Sequence, residues 1–187
     1  MKRTKRKETL LVNLYGGPGS GKSTTAAGVF FDLKNAGINT ELAAEFAKDL
    51  TWEKRHHTLE DQIYIFGKQY HRIFRLWGKV DVIVTDSPIL LTPIYDIEKR
   101  PTLKKLVMEE HEKLWTYNVF LKRKKGYNPK GRNQTEAEAK KIDFTILDML
   151  NDCNVAYEVC EGNDKGKNEI VDKVKLMLKY KGVLGNI

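Results

Sequence analysis

Short apolar runs alternate along the chain with stretches whose apolar residues recur every three or four positions, and that alternation predicts its elements. Leu10 to Tyr15 reads as a buried strand and Thr24 to Asn35 as the helix after it. Gly37 punctuates, and Ile38 to Ala43 reads as a second strand. Across Thr58 to Trp77, the residues Leu59, Ile63, Phe66, Tyr70, Phe74 and Trp77 fall near helical spacing. This predicts one long amphipathic helix opening at a Thr58-x-x-Asp61 cap. Val80 to Thr85 is a third apolar strand, stopped by Pro88. A helix over Thr102 to Trp115 and a fourth strand over Asn118 to Leu121 follow. Thr135 and Glu138 then cap a helix, Val155 to Cys160 is a fifth strand, and Glu169 to Tyr180 is the last helix. Strands alternating with helices predict an α/β fold with a doubly wound parallel sheet. Without internal repeats or a low-complexity linker, the 187 residues are expected to form a single domain, 1–187.

Composition adds that the chain is globular, with 41% hydrophobic and 31% charged residues. It has no apolar run of membrane-spanning length and no signal h-region after its basic start, so a cytoplasmic protein is expected. Cys153 and Cys160 form no C-x-x-C and suggest neither zinc nor redox chemistry. His56, His57 and His71 have no recognisable ligand partners and read as structural or surface residues.

The net charge of +8 is concentrated in two places. Lys2, Arg3, Lys5, Arg6 and Lys7 make a basic tail (1–8). Lys122, Arg123, Lys124, Lys125, Lys130 and Arg132 make a second run with no acid among them. These eleven cations exceed the net charge of the whole chain, so the remainder is net acidic. Both runs suit phosphates. The tail reads either as a solvated terminus or as a nucleic-acid-binding arm.

The chemistry centres on Gly16-Gly17-Pro18-Gly19-Ser20-Gly21-Lys22-Ser23, which fits the P-loop pattern G-x-x-x-x-G-K-[ST] between a strand and a helix. Glycines let backbone N–H groups curl round phosphate oxygens at a helix N-terminus. Gly17, Gly19, Ser20, Gly21, Lys22, Ser23 and Thr24 are therefore the expected ATP-binding residues, with Lys22 on the β- and γ-phosphates and Ser23 on Mg²⁺. No glycine completes a Rossmann G-x-G-x-x-G after Gly17 and Gly19.

Other candidates take their meaning from that loop. Asp86-Ser87-Pro88 ends the third strand as a Walker B candidate, with Asp86 placed to organise Mg²⁺ or take a proton. Glu45, near the carboxyl end of the second strand, either faces the site or caps a short helix, and Lys48 lies just beyond it. Gln62 and Gln69 share a helix face, where their amides either meet solvent or read a base edge. The segment 122–135, with Gly126, Pro129 and Gly131, reads as a basic lid. Arg123, Lys125 and Arg132 would there stabilise charge on the transferring phosphoryl group. The turn from Glu161 to Gly166 either borders the nucleotide base or is ordinary loop.

The P-loop, Glu45-Phe46-Ala47-Lys48-Asp49-Leu50, Asp86-Ser87-Pro88 and Gly131-Arg132-Asn133-Gln134 together resemble a family of small P-loop kinases encoded by bacteriophages, over nearly the whole chain. That family includes 5-hydroxymethyluracil DNA kinases, which phosphorylate the hydroxymethyl group of the base in DNA, and many members described only as ATPases. The resemblance implies a P-loop NTPase three-layer fold with a five-stranded parallel sheet and a lid, similar to nucleoside and nucleotide kinases, and a carboxylate, Glu45, facing the acceptor. It implies ATP and Mg²⁺ as cofactors and DNA as substrate. Thymidylate kinases tend to carry Asp-Arg, and deoxynucleoside kinases Glu-Arg-Ser, where this chain has Asp86-Ser87-Pro88, so that arginine's task would pass to the lid.

An alcohol acceptor must lose a proton as it attacks phosphorus, whereas a phosphate acceptor is already anionic and needs cations. A carboxylate on the acceptor side therefore favours an alcohol. The expected function is an ATP-dependent kinase acting on a hydroxyl of a nucleic-acid base, 5-hydroxymethyluracil in DNA. Lys22, Glu45, Asp86, Arg123 and Arg132 are its catalytic candidates, and Glu45, Lys48, Gln62, Gln69 and Lys125 its substrate-binding ones. A deoxynucleoside or deoxynucleotide kinase and an ATP-gated nucleic-acid-binding ATPase are the alternatives.

Overall fold

The computed structural model describes residues 8–124 and 135–183. Five parallel strands, β1 (Leu10–Tyr15), β2 (Thr40–Ala43), β3 (Val82–Thr85), β4 (Trp115–Lys122) and β5 (Glu158–Glu161), form one sheet in the order β2-β3-β1-β4-β5. Among the described residues eight helices flank it: α1 (Lys22–Asn35), α2 (Phe46–Trp52), α3 (His56–Glu60), α4 (Gln62–Phe74), α5 (Thr92–Tyr95), α6 (Pro101–Glu112), α7 (Glu136–Asp152) and α8 (Asp164–Tyr180). A 3₁₀ turn, Ile89–Leu91, precedes α5.

Alternation along β1 builds both sides of the core. Leu10, Val12 and Leu14 pack with Val29 and Leu33 of α1 and Ile170 and Val174 of α8. Leu11 and Tyr15 pack on the opposite face with Phe66 of α4, Val107 of α6 and Ile146 of α7. β1 is buried throughout because helices cover both faces, as parallel sheets require. Its polar member, Asn13, donates from Nδ2 to Asn118 Oδ1 at 2.9 Å across the β1–β4 pairing. The connections diverge at β1: β3 lies on one side and β4 on the other, so the loops after β1 and β3 open side by side.

Several sequence expectations change. The helix expected over Thr102 to Trp115 ends at Glu112, and β4 starts at Trp115 rather than Asn118. The single helix over 58–77 is broken, because Asp61 leaves helical geometry and its side chain accepts the Tyr64 N–H, capping α4. Asp61 is thus the cap itself, and Thr58 lies inside α3. The fifth strand starts at Glu158 rather than Val155, because Asn154 turns left-handed (φ 51°) and the Val155 N–H returns to Leu150 O to close α7. The last helix starts at Asp164, where the Asn163 side chain accepts from Gly166 N. The Thr135–Glu138 capping box forms as expected. Within the proposed lid, 125–134 lies outside the described residues. Among the described residues no helix is long and apolar enough to cross a membrane.

Candidate active site

The loop between β1 and α1 turns through backbone that glycine alone adopts readily: φ is 137° at Gly16, 81° at Gly19 and 97° at Gly21. The first-turn amides of α1 have no acceptor within their own helix, and the N-cap, Gly21, contributes no side chain to them. These amides point partial positive charge out of the loop. Lys22 curls back over it, donating from Nζ to Gly16 O at 2.6 Å and Gly17 O at 3.2 Å. Ser23 and Thr24 are exposed and line the adjoining cleft.

The cleft holds about 400 Å³. Pro18, Gly19, Gly21, Lys22, Ser23 and Thr24 form its loop wall. Glu45, Asp86, Ser87 and Pro88, which follow β2 and β3, line it too, as do Ala47, Lys48, Thr51, Leu59, Gln62, Ile65, Gln69, Leu91, Thr92 and Tyr95. Glu45, Lys48 and Asp86 thus share one cavity with Lys22 and Ser23. Thr51, Leu59, Ile65, Thr92 and Tyr95 were not expected there. They come from separate short elements whose apolar spacing also suits a core, so no sequence signal marks them.

The Glu45 turn is held at three consecutive residues. Arg72 Nη1 donates to Ala44 O at 2.9 Å, the Glu45 N–H donates to Asp86 Oδ1 at 3.0 Å, and the Phe46 N–H donates to Gln69 Oε1 at 2.9 Å. Gln69 Nε2 reaches Thr85 Oγ1 at 3.4 Å and Ala43 O at 3.5 Å. A base-reading role for Gln69 therefore gives way to a structural one, since both ends of its amide are engaged and the residue is 3% exposed. Gln62 is also buried, donating from Nε2 to Leu59 O at 2.7 Å, although it lines the cleft.

Burial sets the electrostatics. It lowers the pKa of Lys22, against the opposing pull of Glu45, Asp86 and Asp143. It raises the pKa of Glu45, which Lys22 partly offsets. Each partly buried charge thus moderates the other. A carboxyl raised in this way is a stronger base than an ordinary one once ionised.

Two expectations for the loop and lid need correction. The Gly17 N–H is taken by Asp143 Oδ1 at 2.5 Å, and the Ser20 N–H by Gly17 O at 3.2 Å, so both amides bond within the protein. Arg123 does not line the cleft: its guanidinium bonds Pro18 O through Nη1 and Asp143 Oδ2 through Nη2 at 2.9 Å. It is 10% exposed and pinned to the loop at Pro18, with Asp143 of α7 as its ion-pair partner. Lys125 and Arg132 lie outside the described residues. The Glu161–Gly166 turn borders the P-loop, with a Cβ at Gly21 meeting Gly162 O at 3.3 Å.

No group of three or more His, Cys, Asp or Glu that could hold a metal occurs among the described residues. Mg²⁺ at phosphate sites usually keeps several waters and takes one or two protein oxygens plus phosphate, so such a cluster is not required. The Ser23 hydroxyl and the Asp86 carboxylate, both lining the cleft, are hard oxygen donors of that kind.

This sheet order, P-loop and cleft define a P-loop kinase fold. Residues 11–165 match the AAA domain family, and the chain belongs to it. No curated protein matches it in sequence. Many solved structures share the fold, two of them kinases with bound ligands. An APS kinase from Mycobacterium tuberculosis, in complex with AMPPNP and APS, superposes with a TM-score of 0.52 at 13% identity, over 90% of this chain and 99% of that one. A shikimate kinase from Acinetobacter baumannii, in complex with shikimate, gives 0.54 at 14% identity, over 94% and 96%.

Proposed function

We propose that the protein is an ATP- and Mg²⁺-dependent kinase that phosphorylates a hydroxyl on a nucleic-acid base, 5-hydroxymethyluracil in DNA. The observation that carries this reading is Glu45, a partly buried residue whose main-chain N–H donates to Asp86 Oδ1 at 3.0 Å and which lines the same cleft as Lys22 and Ser23. In this reading the loop amides and Lys22 hold the phosphates of ATP, and the likeness to a kinase structure holding AMPPNP supports such a donor. Ser23 and Asp86 would hold Mg²⁺, which when bound neutralises charge on the phosphate oxygens.

Glu45 takes the proton of the acceptor hydroxyl as its oxygen bonds to the γ-phosphorus. The bond from phosphorus to the bridging oxygen breaks, and ADP leaves. The cleft suits a neutral ring: Leu59, Ile65, Leu91 and Tyr95 supply apolar surface, and Lys48 is the one lining cation besides Lys22 among the described residues. A phosphate-bearing acceptor in that pocket would meet a carboxylate with little positive charge to balance it. A base in a duplex reaches such a cleft only after flipping out or as a single strand.

The test supplies labelled ATP separately with hydroxymethyluracil DNA, ordinary DNA and free deoxynucleotides. Label is expected on hydroxymethyluracil DNA alone. Label confined to a free monophosphate would sink this reading, and acceptor-independent release of phosphate would make the protein an ATPase.

A further inference from the structure

We propose that Asp143 is a positioning residue that, with Arg123, braces the opening turn of the phosphate loop against α7 and so pre-forms the nucleotide site. Asp143 is 126 positions from Gly17 in sequence, yet its Oδ1 accepts the Gly17 N–H at 2.5 Å while its Oδ2 accepts from Arg123 Nη2 at 2.9 Å. Arg123 completes the ring by donating through Nη1 to Pro18 O. One carboxylate and one guanidinium thus grip two successive residues of the loop. The packing leaves no slack: a Cβ on Gly17 would stand 2.5 Å from Ala139 O and 2.8 Å from Asp143 Oδ1.

Both charges are largely removed from water, at 10% exposure for Arg123 and 20% for Asp143. Withdrawing either leaves the other poorly compensated, so the pair behaves as a fixed brace rather than as a mobile cation. Arg123 Nε, buried without a hydrogen-bond partner among the described residues, fits a guanidinium held for its two terminal nitrogens. A loop held in its binding geometry has less freedom to lose when phosphates arrive, and that difference appears as affinity.

The inference rests on the proposed function only in taking the loop to bind a nucleoside triphosphate. AMPPNP binding by the full chain therefore tests it without any acceptor. Asp143→Asn should weaken AMPPNP binding by about tenfold, the scale of losing a charged hydrogen-bond partner. Arg123→Lys, which keeps the charge and loses the planar fork, should move affinity in the same direction and carries the test if the first variant does not fold. The double variant should be little worse than either single one if the two residues act as a unit.

Lys167→Met supplies the control. It breaks the 2.6 Å contact that joins α8 to Asp32, ten positions along α1 from Lys22, and involves neither Asp143 nor Arg123. Its Tm should fall while AMPPNP affinity holds. An Asp143→Asn protein with unchanged or tighter affinity would overturn the proposal, the tighter case showing that the carboxylate competes with phosphate. A Lys167→Met protein that loses affinity in step with Tm would overturn it as well, by reducing the effect to stability. A wild type that binds no AMPPNP sinks the proposed function and this inference together, whereas wild-type binding with an indifferent variant sinks this inference alone.

Discussion

Asp86 accepts the main-chain N–H of Glu45 at 3.0 Å, so the carboxylate after β3 sets the place of the carboxylate after β2. The strand order makes this possible, because β2 and β3 pair in parallel and end together at Ala43 and Thr85. Two acids are thereby held at one mouth of the sheet, beside the loop that follows β1.

Replacing Asp86 separates charge from geometry. Asp86→Asn keeps an oxygen able to accept from Glu45 and loses the charge, so its turnover should fall by about a hundredfold or more with stability nearly intact. Asp86→Ala also strands the Glu45 N–H, and should cost a further ~1–3 kcal/mol in urea unfolding. If the Asn variant turned over normally, Asp86 would have only the structural role.

Glu45→Gln should lower turnover strongly while AMPPNP affinity changes little. The wild-type rate should also fall on the acid side at a pH above the ordinary carboxylate range. Burial raises the Glu45 pKa, and only the ionised form can take a proton. As pH drops through that raised value the base is lost, and the Gln variant should lack this limb. A pH profile of kcat/KM for both proteins checks the sign, and an unchanged acid limb in the variant would assign it to another group.

The site was partly legible in the sequence. The P-loop, Asp86 and Glu45 could be read because each follows an apolar strand, and strand ends of a parallel sheet converge on one edge. Gln69 shows the limit: helical spacing placed it on a face, but its partners are the main-chain groups of Phe46 and Ala43, and main-chain partners leave no residue-type signal. Asp143 was silent for another reason. A single acid on an amphipathic helix looks like solvated surface until the fold carries α7 to the loop. The break at Asp61 was missed because the apolar spacing runs on through it, and an Asp can serve as the third residue of one cap or as the start of the next.

His111 gives a stability prediction independent of catalysis. It is 7% exposed on α6, and burial pushes its imidazole pKa down to about 4. The unfolded chain, with an ordinary histidine pKa of about 6.5, binds the proton more readily. Stability should therefore fall as pH drops from about 6.5 towards 4, with this residue contributing at most ~1.4 kcal/mol per pH unit. Urea unfolding at pH 7 and pH 5 should show a smaller loss for His111→Gln than for the wild type, and equal losses would place the pH sensitivity elsewhere.

Gln69→Leu tests whether the buried amide serves the Glu45 turn or the acceptor. The substitution roughly keeps the volume, but leaves the Phe46 N–H without its acceptor and removes the donor facing Thr85 and Ala43. Stability should fall by ~1–3 kcal/mol. Because the turn that carries Glu45 loosens, kcat should fall about tenfold while the KM for nucleotide stays put, since no atom of the phosphate loop bonds to Gln69. A residue that read the acceptor would instead raise the acceptor KM and leave the unfolding midpoint where it was. Arg72 holds the neighbouring carbonyl, Ala44 O, at 2.9 Å, so Arg72→Met should reproduce the kcat effect in weaker form. If Gln69→Leu changed acceptor KM alone, the amide would belong to recognition and the three-residue grip on the turn would lose its functional meaning.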